Sequence, residues 1–347
     1  MKKSTIRTGV MVIISAVLLF FFFKGVEWKE ALSYLKNINA IYFILMVLLT
    51  PLHLLTRSLR WHFLLKQEKK GVSLYSRFAA NAVGFTVTML VPARIGEVVR
   101  PLFLAQKENM RKGYVLGTIV VERIFDLFTM CTILGVFLIA KPLYESFFPV
   151  EADIYSKLYV WGYVSLGIAV LLFALILALF FFRKKALRLA KALLKPFSEK
   201  FASKAVEIVD DFIQGLKFFH SIKDLSFYIL LSFVVWLGIM FFYWMFFLAF
   251  KVSVPFFFLV PYSFMVMVGA SIPTPGMVGG FDYFSRLGLT AFFNINSNQA
   301  FGMTIVIHSL QVVVTCLIGY AILWKEGLSL LEVKKIGEKK ANEVPLL

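Results

Sequence analysis

Charged side chains are scarce in this 347-residue chain, so those set between apolar flanks stand out. The stretch 90–101, LVPARIGEVVRP, holds Arg94, Glu97 and Arg100, and a second block reads Glu122-Arg123-x-x-Asp126. If the first block is helical past the break at Pro92 and Gly96, Arg94 and Glu97 can pair and Arg100 continues the row. In a helix Glu122 and Asp126 share one face, with Arg123 about 100° around it. Two carboxylates so placed repel unless bases lie near, and Arg94, Arg100 or Arg123 could supply them. Such a group suits non-covalent recognition, in which guanidinium forks grip phosphate and carboxylates orient the forks or bind a cation. The same charges equally suit an ion-pair network that locks neighbouring segments together. Arg57, Arg60 and Trp61 read first as anchors snorkelling to a membrane interface. Asp282 follows a second break, and His308 stands alone in an apolar stretch, where a satisfied packing histidine is the ordinary role. His53 and His62 are weaker candidates.

Other chemistries lack their residues. There is no P-loop or GxGxxG for a nucleotide and no nucleophile elbow. Four scattered histidines and two cysteines, Cys131 and Cys316, offer neither metal spacing nor a disulfide framework. Glu151-Ala-Asp153 is a solvated tripeptide in a short loop. No cofactor, metal or catalytic motif is expected.

The elements that must hold these residues are membrane helices. Hydrophobic residues make up 60% of the chain and charged ones 16%, against roughly 25% charged in a soluble domain. Apolar stretches of spanning length recur at 9–23, 40–56, 114–140, 158–182, 226–250 and 300–324. None alternates as a barrel strand would, so a helical bundle is expected. The net charge of +17 lies in loops beside these stretches, which argues against nucleic acid and for anionic headgroups. The first 25 residues carry a basic start and an apolar run without a cleavage site, and read as an uncleaved anchor.

Orientation follows from the basic loops. Lys2, Lys3 and Arg7 place the N-terminus in the cytoplasm, and 24–39 outside, with a short interfacial helix around Trp28. The next span returns to a basic inside loop. If 78–105 crossed once, Lys107, Arg111 and Lys112 would face outward; a segment that dips in and returns keeps them inside. Pro92 and Gly96 break that segment, and Pro101 is counted with its hairpin backbone. Residues 254–292, with Pro273, Pro275, Gly276, Gly279 and Gly280, are broken likewise, and the basic tail after 324 requires them to dip from the opposite face. The expected fold is an all-α polytopic membrane protein with about six full transmembrane helices and two re-entrant helical hairpins in an inverted repeat. It forms one membrane domain: an anchor and outer segment (1–39), a first repeat (40–140), a span with a basic cytoplasmic loop (158–223), a second repeat (226–324) and a basic cytoplasmic tail (325–347). Paired interrupted segments of this kind point to a transporter's binding site.

Arg57-x-x-Arg60-Trp61, Arg94-x-Gly96-Glu97-x-x-Arg100-Pro101, Glu122-Arg123-x-x-Asp126 and Pro273-x-Pro275-Gly276, in that order, resemble the lysylphosphatidylglycerol synthase transmembrane (flippase-like) family over about 40–325. In that family's second break a further glycine stands at Met277 and a glutamate at Asp282. The resemblance implies lipid movement between leaflets of the cell (cytoplasmic) membrane, with anionic or aminoacylated phospholipid as partner. It implies the translocating part without the cytosolic aminoacyl-transfer part, since only 23 residues follow Trp324. Substrate-contacting roles then fall to Arg94, Glu97, Arg100, Glu122, Arg123, Asp126 and Asp282, with Arg57 and Arg60. An intramembrane enzyme on a lipid-linked phosphate or sugar, and a membrane partner that recruits a cytosolic enzyme through 183–223, are the rival expectations. Homo-oligomerisation is left open.

Overall fold

The computed structural model describes residues 3–91, 94–140, 153–194 and 221–333, with isolated positions between 199 and 210 and Lys335. Among these residues every regular element is helical. The elements are α1 (Lys3–Phe23), α2 (Trp28–Ser33), α3 (Ala40–Leu65), α4 (Leu74–Leu90), α5 (Gly96–Lys107), α6 (Lys112–Ile139), α7 (Asp153–Phe181), α8 (Arg183–Leu194), α9 (Ile222–Ala249), α10 (Leu259–Ser271), α11 (Gly280–Phe293) and α12 (Ser297–Lys325). Three of them, α3, α9 and α12, are long and apolar enough to cross a membrane. In hydrocarbon a backbone must satisfy itself, which a helix does internally. The starts are capped by short polar side chains: Asn39, Ser73, Ser221 and Asn296 each accept a hydrogen bond from an amide of the first turn. Of the short acidic loop expected at 141–157, residues 141–152 lie outside the described residues and 153–157 begin α7; most of 195–220 and Pro92 also lie outside them.

Two helix–break–helix units occupy the middle of the bundle. In the first, α4 and α5 lie side by side in backbone contact. A Cβ on Gly96 would fall 2.0 Å from the Gly84 carbonyl oxygen and 2.2 Å from Thr88 Oγ1. The chain returns to the end it started from, with the Lys107 ammonium 5.4 Å from the centre of the Tyr75 ring. In the second, Gly269 and Gly280 face each other, and a Cβ on either would lie 2.5 Å from the other's carbonyl oxygen. The bases of α10 and α11 meet where the Tyr262 and Phe293 rings lie edge to face, 6.2 Å between centres. Between them the chain turns through Pro273 and a 3-10 turn, Pro275–Met277, with Gly276 and Gly279 at positive φ (61° and 87°), a region that costs glycine nothing.

The hairpins open toward opposite ends of the bundle. Tyr75 and Lys107 share an end with Glu326, which contacts both. Phe293 shares the other end with Phe247, at 4.7 Å, and there the Asn39 amide donates to the Ala249 carbonyl at 2.8 Å. The breaks meet in the middle, where a Cβ on Gly276 would lie 2.8 Å from the Met89 carbonyl oxygen.

One element differs from expectation in a way that matters. The apolar run that begins α3 ends near residue 56, yet the helix continues to Leu65 and carries Arg57, Arg60 and Trp61 into the interior. Carboxylates on a distant helix make that extension possible, as described below.

Gly96→Ala should destabilise the folded protein by roughly 1–3 kcal/mol, because backbone blocks the new methyl. Gly167→Ala on α7, with no atom within 4 Å of the added carbon, should not. Melting in mild detergent compares them; equal midpoints would exclude the close α4–α5 approach.

Candidate functional site

Helix α6 presents Glu122 and Asp126 one turn apart toward α3, whose Arg57 and Arg60 stand three apart, while α5 delivers Arg100 from the first hairpin. Glu122 is fully buried. Arg100 grips it with two donors, Nη1 to Oε1 at 2.8 Å and Nη2 to Oε2 at 2.9 Å. Arg123 adds a 2.8 Å bond to Oε1, and Arg57 one at 3.3 Å. Asp126 takes Arg60 at 2.7 Å and lies 3.6 Å from Arg57 and 3.4 Å from Arg123. Paired forks of this sort are the strongest side-chain hydrogen bonds. Aromatic rings cover the guanidinium faces: Arg100 lies 4.2 Å from the Trp61 ring centre, Arg60 5.7 Å from Tyr228 and Arg57 5.5 Å from Phe85. Trp61 is fixed in turn by donating to Thr118 at 2.9 Å.

This overturns the snorkelling reading of Arg57 and Arg60, which are 6% and 0% exposed. They stay inside because Glu122 and Asp126 neutralise them there. Four arginines surround two carboxylates, a formal excess of two positive charges (4 − 2). Of the four, Arg123 is the most open, with 40% of its side chain exposed.

Beside the cluster is a cavity of about 560 Å³ between α3, both hairpins, α6, α9 and α12. Its lining is polar at Arg57, Arg94, Glu97, Arg100, Arg123 and Asp126, and apolar where α9 and α10 contribute residues such as Phe242 and Val266. Arg60 and Glu122 sit behind the polar wall rather than in it. Arg94 and Glu97 pair at 3.3 Å, although Arg94 lies in the break at φ 52° rather than in α5. Arg94 also donates to the Ala270 carbonyl, joining the first hairpin to the second. Arg100 leaves the row these two begin and turns to Glu122.

Asp282 is not brought to the arginines. Its Oδ2 accepts the Gly279 amide at 2.8 Å and its Oδ1 lies 2.6 Å from His308 Nδ1. The expected part in orienting arginines therefore gives way to a local contact at the second break. Gly96 and Gly280 serve the close hairpin contacts, while Pro101 lies inside α5.

Several residues gave no strong signal beforehand. His53 accepts from Arg57 Nε at 2.8 Å; its position four before Arg57 is the one hint the sequence holds. Trp236 and Ser263 line the cavity and are buried, with Nε1 and Oγ unpartnered; both stand among apolar sequence neighbours. Among the described residues no group of three metal-ligating side chains occurs, and Cys131 and Cys316 are free thiols.

A helical membrane protein with a charge-lined cavity between two broken helix pairs is the class this geometry defines. The chain belongs to the lysylphosphatidylglycerol synthase transmembrane-region family, whose sequence profile matches residues 9–319. Two relatives are membrane proteins of Methanocaldococcus jannaschii. UPF0104 membrane protein MJ1595 is 23% identical over 223 residues, 63% of this chain and 64% of that protein. UPF0104 membrane protein MJ1078 is 34% identical over 91 residues, 26% of this chain and 35% of that protein. The matched stretches thus span less than two thirds of either relative. No solved structure matches significantly.

Glu122→Gln should cost about 3–5 kcal/mol, because it leaves buried arginines without their shared counter-charge. Lys69→Gln, which breaks the more exposed pair with Glu108 at 3.0 Å, should cost no more than about 1 kcal/mol. Thermal unfolding in detergent ranks the two; a wild-type midpoint for Glu122→Gln would show that the cluster does not hold the helices together.

Proposed function

We propose that this protein moves a phospholipid with an anionic or aminoacylated headgroup between the leaflets of the cell membrane. The observation that carries the reading is the amphipathic cavity at the meeting point of the hairpin tips. Its arginine wall suits a phosphate, and its apolar wall suits the glycerol and upper acyl region. A phosphate crossing hydrocarbon alone faces a large desolvation cost, which fixed opposite charge offsets. Only the headgroup needs such shelter, because the acyl chains are already in their preferred solvent.

In this reading six helices cross the bilayer (α1, α3, α6, α7, α9 and α12) and the hairpins α4–α5 and α10–α11 enter from opposite faces as inverted repeats. Lys66, Lys69, Lys107, Arg111 and Lys325 cluster at the end where the first hairpin opens, which makes that end, with both termini, cytoplasmic. Arg94 and Arg123 are the first contacts for phosphate; Glu97 and Asp126 set their direction and would meet the ammonium of an aminoacylated headgroup. Glu122 and Arg60 hold the wall in shape from behind. The work is binding and passage, with no bond made or broken.

Arg94→Ala and Glu97→Ala should each slow leaflet exchange of fluorescent phosphatidylglycerol in liposomes by about tenfold or more, the loss expected of one charge-assisted contact. Both variants should remain folded and abundant, since neither belongs to the Glu122 cluster. Wild-type exchange in both would defeat the proposal. A change in the mass of the lipid during the assay would point instead to an intramembrane enzyme.

A further inference from the structure

The second hairpin holds a buried titratable pair that headgroup binding does not use. His308 on α12 stands between two acceptors: Nδ1 is 2.6 Å from Asp282 Oδ1, and Nε2 is 3.1 Å from the carbonyl oxygen of Gly276. The remaining oxygen of Asp282 accepts the Gly279 amide at 2.8 Å. A carbonyl oxygen only accepts, so Nε2 must carry a hydrogen. A second hydrogen must lie between Nδ1 and the carboxyl group, on one or the other. A neutral imidazole facing an ionised carboxylate has only one hydrogen for these two contacts. The hydrogen-bond pattern is therefore complete only when the pair holds one extra proton, as imidazolium–carboxylate or as imidazole–carboxylic acid.

That proton sits at a mechanical junction. Gly276 is one of three positive-φ residues of the second tip, with Met277 and Gly279, and packs against the Met89 carbonyl of the first. Removing the proton leaves either Nε2 facing Gly276, or Nδ1 facing Asp282, acceptor against acceptor. On the same tip the Thr274 hydroxyl is buried without a hydrogen-bond partner. The Phe281 ring lies 4.8 Å from the His308 ring, and α1 contributes Ser15, which donates to the Val278 carbonyl at 2.9 Å. Arg286, on the same helix as Asp282, is turned to the carbonyls of Phe22 and Lys24. From the first hairpin, Arg94 reaches Ala270 and is paired with Glu97. The other groups of α12 facing this region, Gln311 and Thr315, do not titrate. Among the described residues no lysine or arginine pairs with Asp282.

We propose that His308 and Asp282 form a proton-binding site, and that its occupancy latches the second hairpin tip against the first. Resting on the transport reading above, the proton is then the ion whose binding and release is coupled to opening of the lipid cavity. The loaded pair is formally neutral and the emptied pair carries one negative charge, so release also puts an uncompensated charge beside the junction.

The latch is tested without any lipid assay. Hydrogen exchange of residues 269–280 in the full chain in nanodiscs, corrected for intrinsic exchange chemistry, is followed as the pH is raised across the range in which the protein stays folded. Protection of the wild-type tip should fall by about tenfold or more as the pair empties, the loss of one hydrogen bond. His308→Gln, whose amide does not titrate, should give a flat profile, and Asp282→Asn, a second isostere, should do the same. A flat wild-type profile, or an unchanged pH dependence in either folded variant, overturns the site. Coupling is read separately, as leaflet exchange of fluorescent phosphatidylglycerol under an imposed pH gradient. Exchange that responds to the gradient in wild type but not in His308→Gln supports it, and wild-type exchange indifferent to the gradient overturns it. Absence of exchange under every condition would remove the transport reading while leaving the hydrogen-exchange result to decide the proton site.

Discussion

Glu122 cannot remain ionised inside a helical bundle on its own account. Stripped of water, a lone carboxylate costs several kcal/mol even after the protein relaxes. Arg100, Arg123, Arg57 and Arg60 meet that requirement from three helices, and in doing so they determine which helices are neighbours. Arg100 can reach Glu122 only if α5 folds back along α4, which the bare contact between Gly84 and Gly96 allows. Arg57 and Arg60 can stay interior only if α3 continues past its apolar run. The hairpin, the length of α3 and the polar wall of the cavity all follow from one buried acid.

The two halves solve the same problem with different chemistry. The first break is flanked by guanidinium forks paired with carboxylates. The second carries a carboxylate hydrogen-bonded to an imidazole, Asp282 and His308. Their tips touch through backbone, Gly276 against Met89, and through Arg94 on Ala270. The arginine cluster of the first half and the Asp282–His308 pair of the second thus lie on either side of one contact surface.

Much of this was legible from residue types. The apolar run lengths pointed to helices, and the Pro/Gly clusters fall between α4 and α5 and between α10 and α11, because each is a local consequence of backbone physics. Expected hairpin limits of 78–105 and 254–292 compare with α4–α5 at Leu74–Lys107 and α10–α11 at Leu259–Phe293. What stayed hidden was pairing at a distance. Nothing near Arg57 and Arg60 announces that Glu122 and Asp126, more than sixty positions later, will neutralise them, so their local context reads as a helix end. Asp282 and His308 are separated by 26 positions, and either one alone is unremarkable. The unpartnered donors of Trp236 and Ser263 are invisible for the same reason: an apolar stretch does not say what its few polar atoms will face.

The glycine contacts within each hairpin have a mechanical consequence. Where Gly84 meets Gly96, and Gly269 meets Gly280, main chain lies on main chain with no flexible side chain between to absorb a shift. The two arms of a hairpin cannot slide or splay by small amounts as helices padded with leucine do. Sliding one arm past the other would drive backbone into backbone, so this packing favours displacement of a hairpin as one body over shear within it.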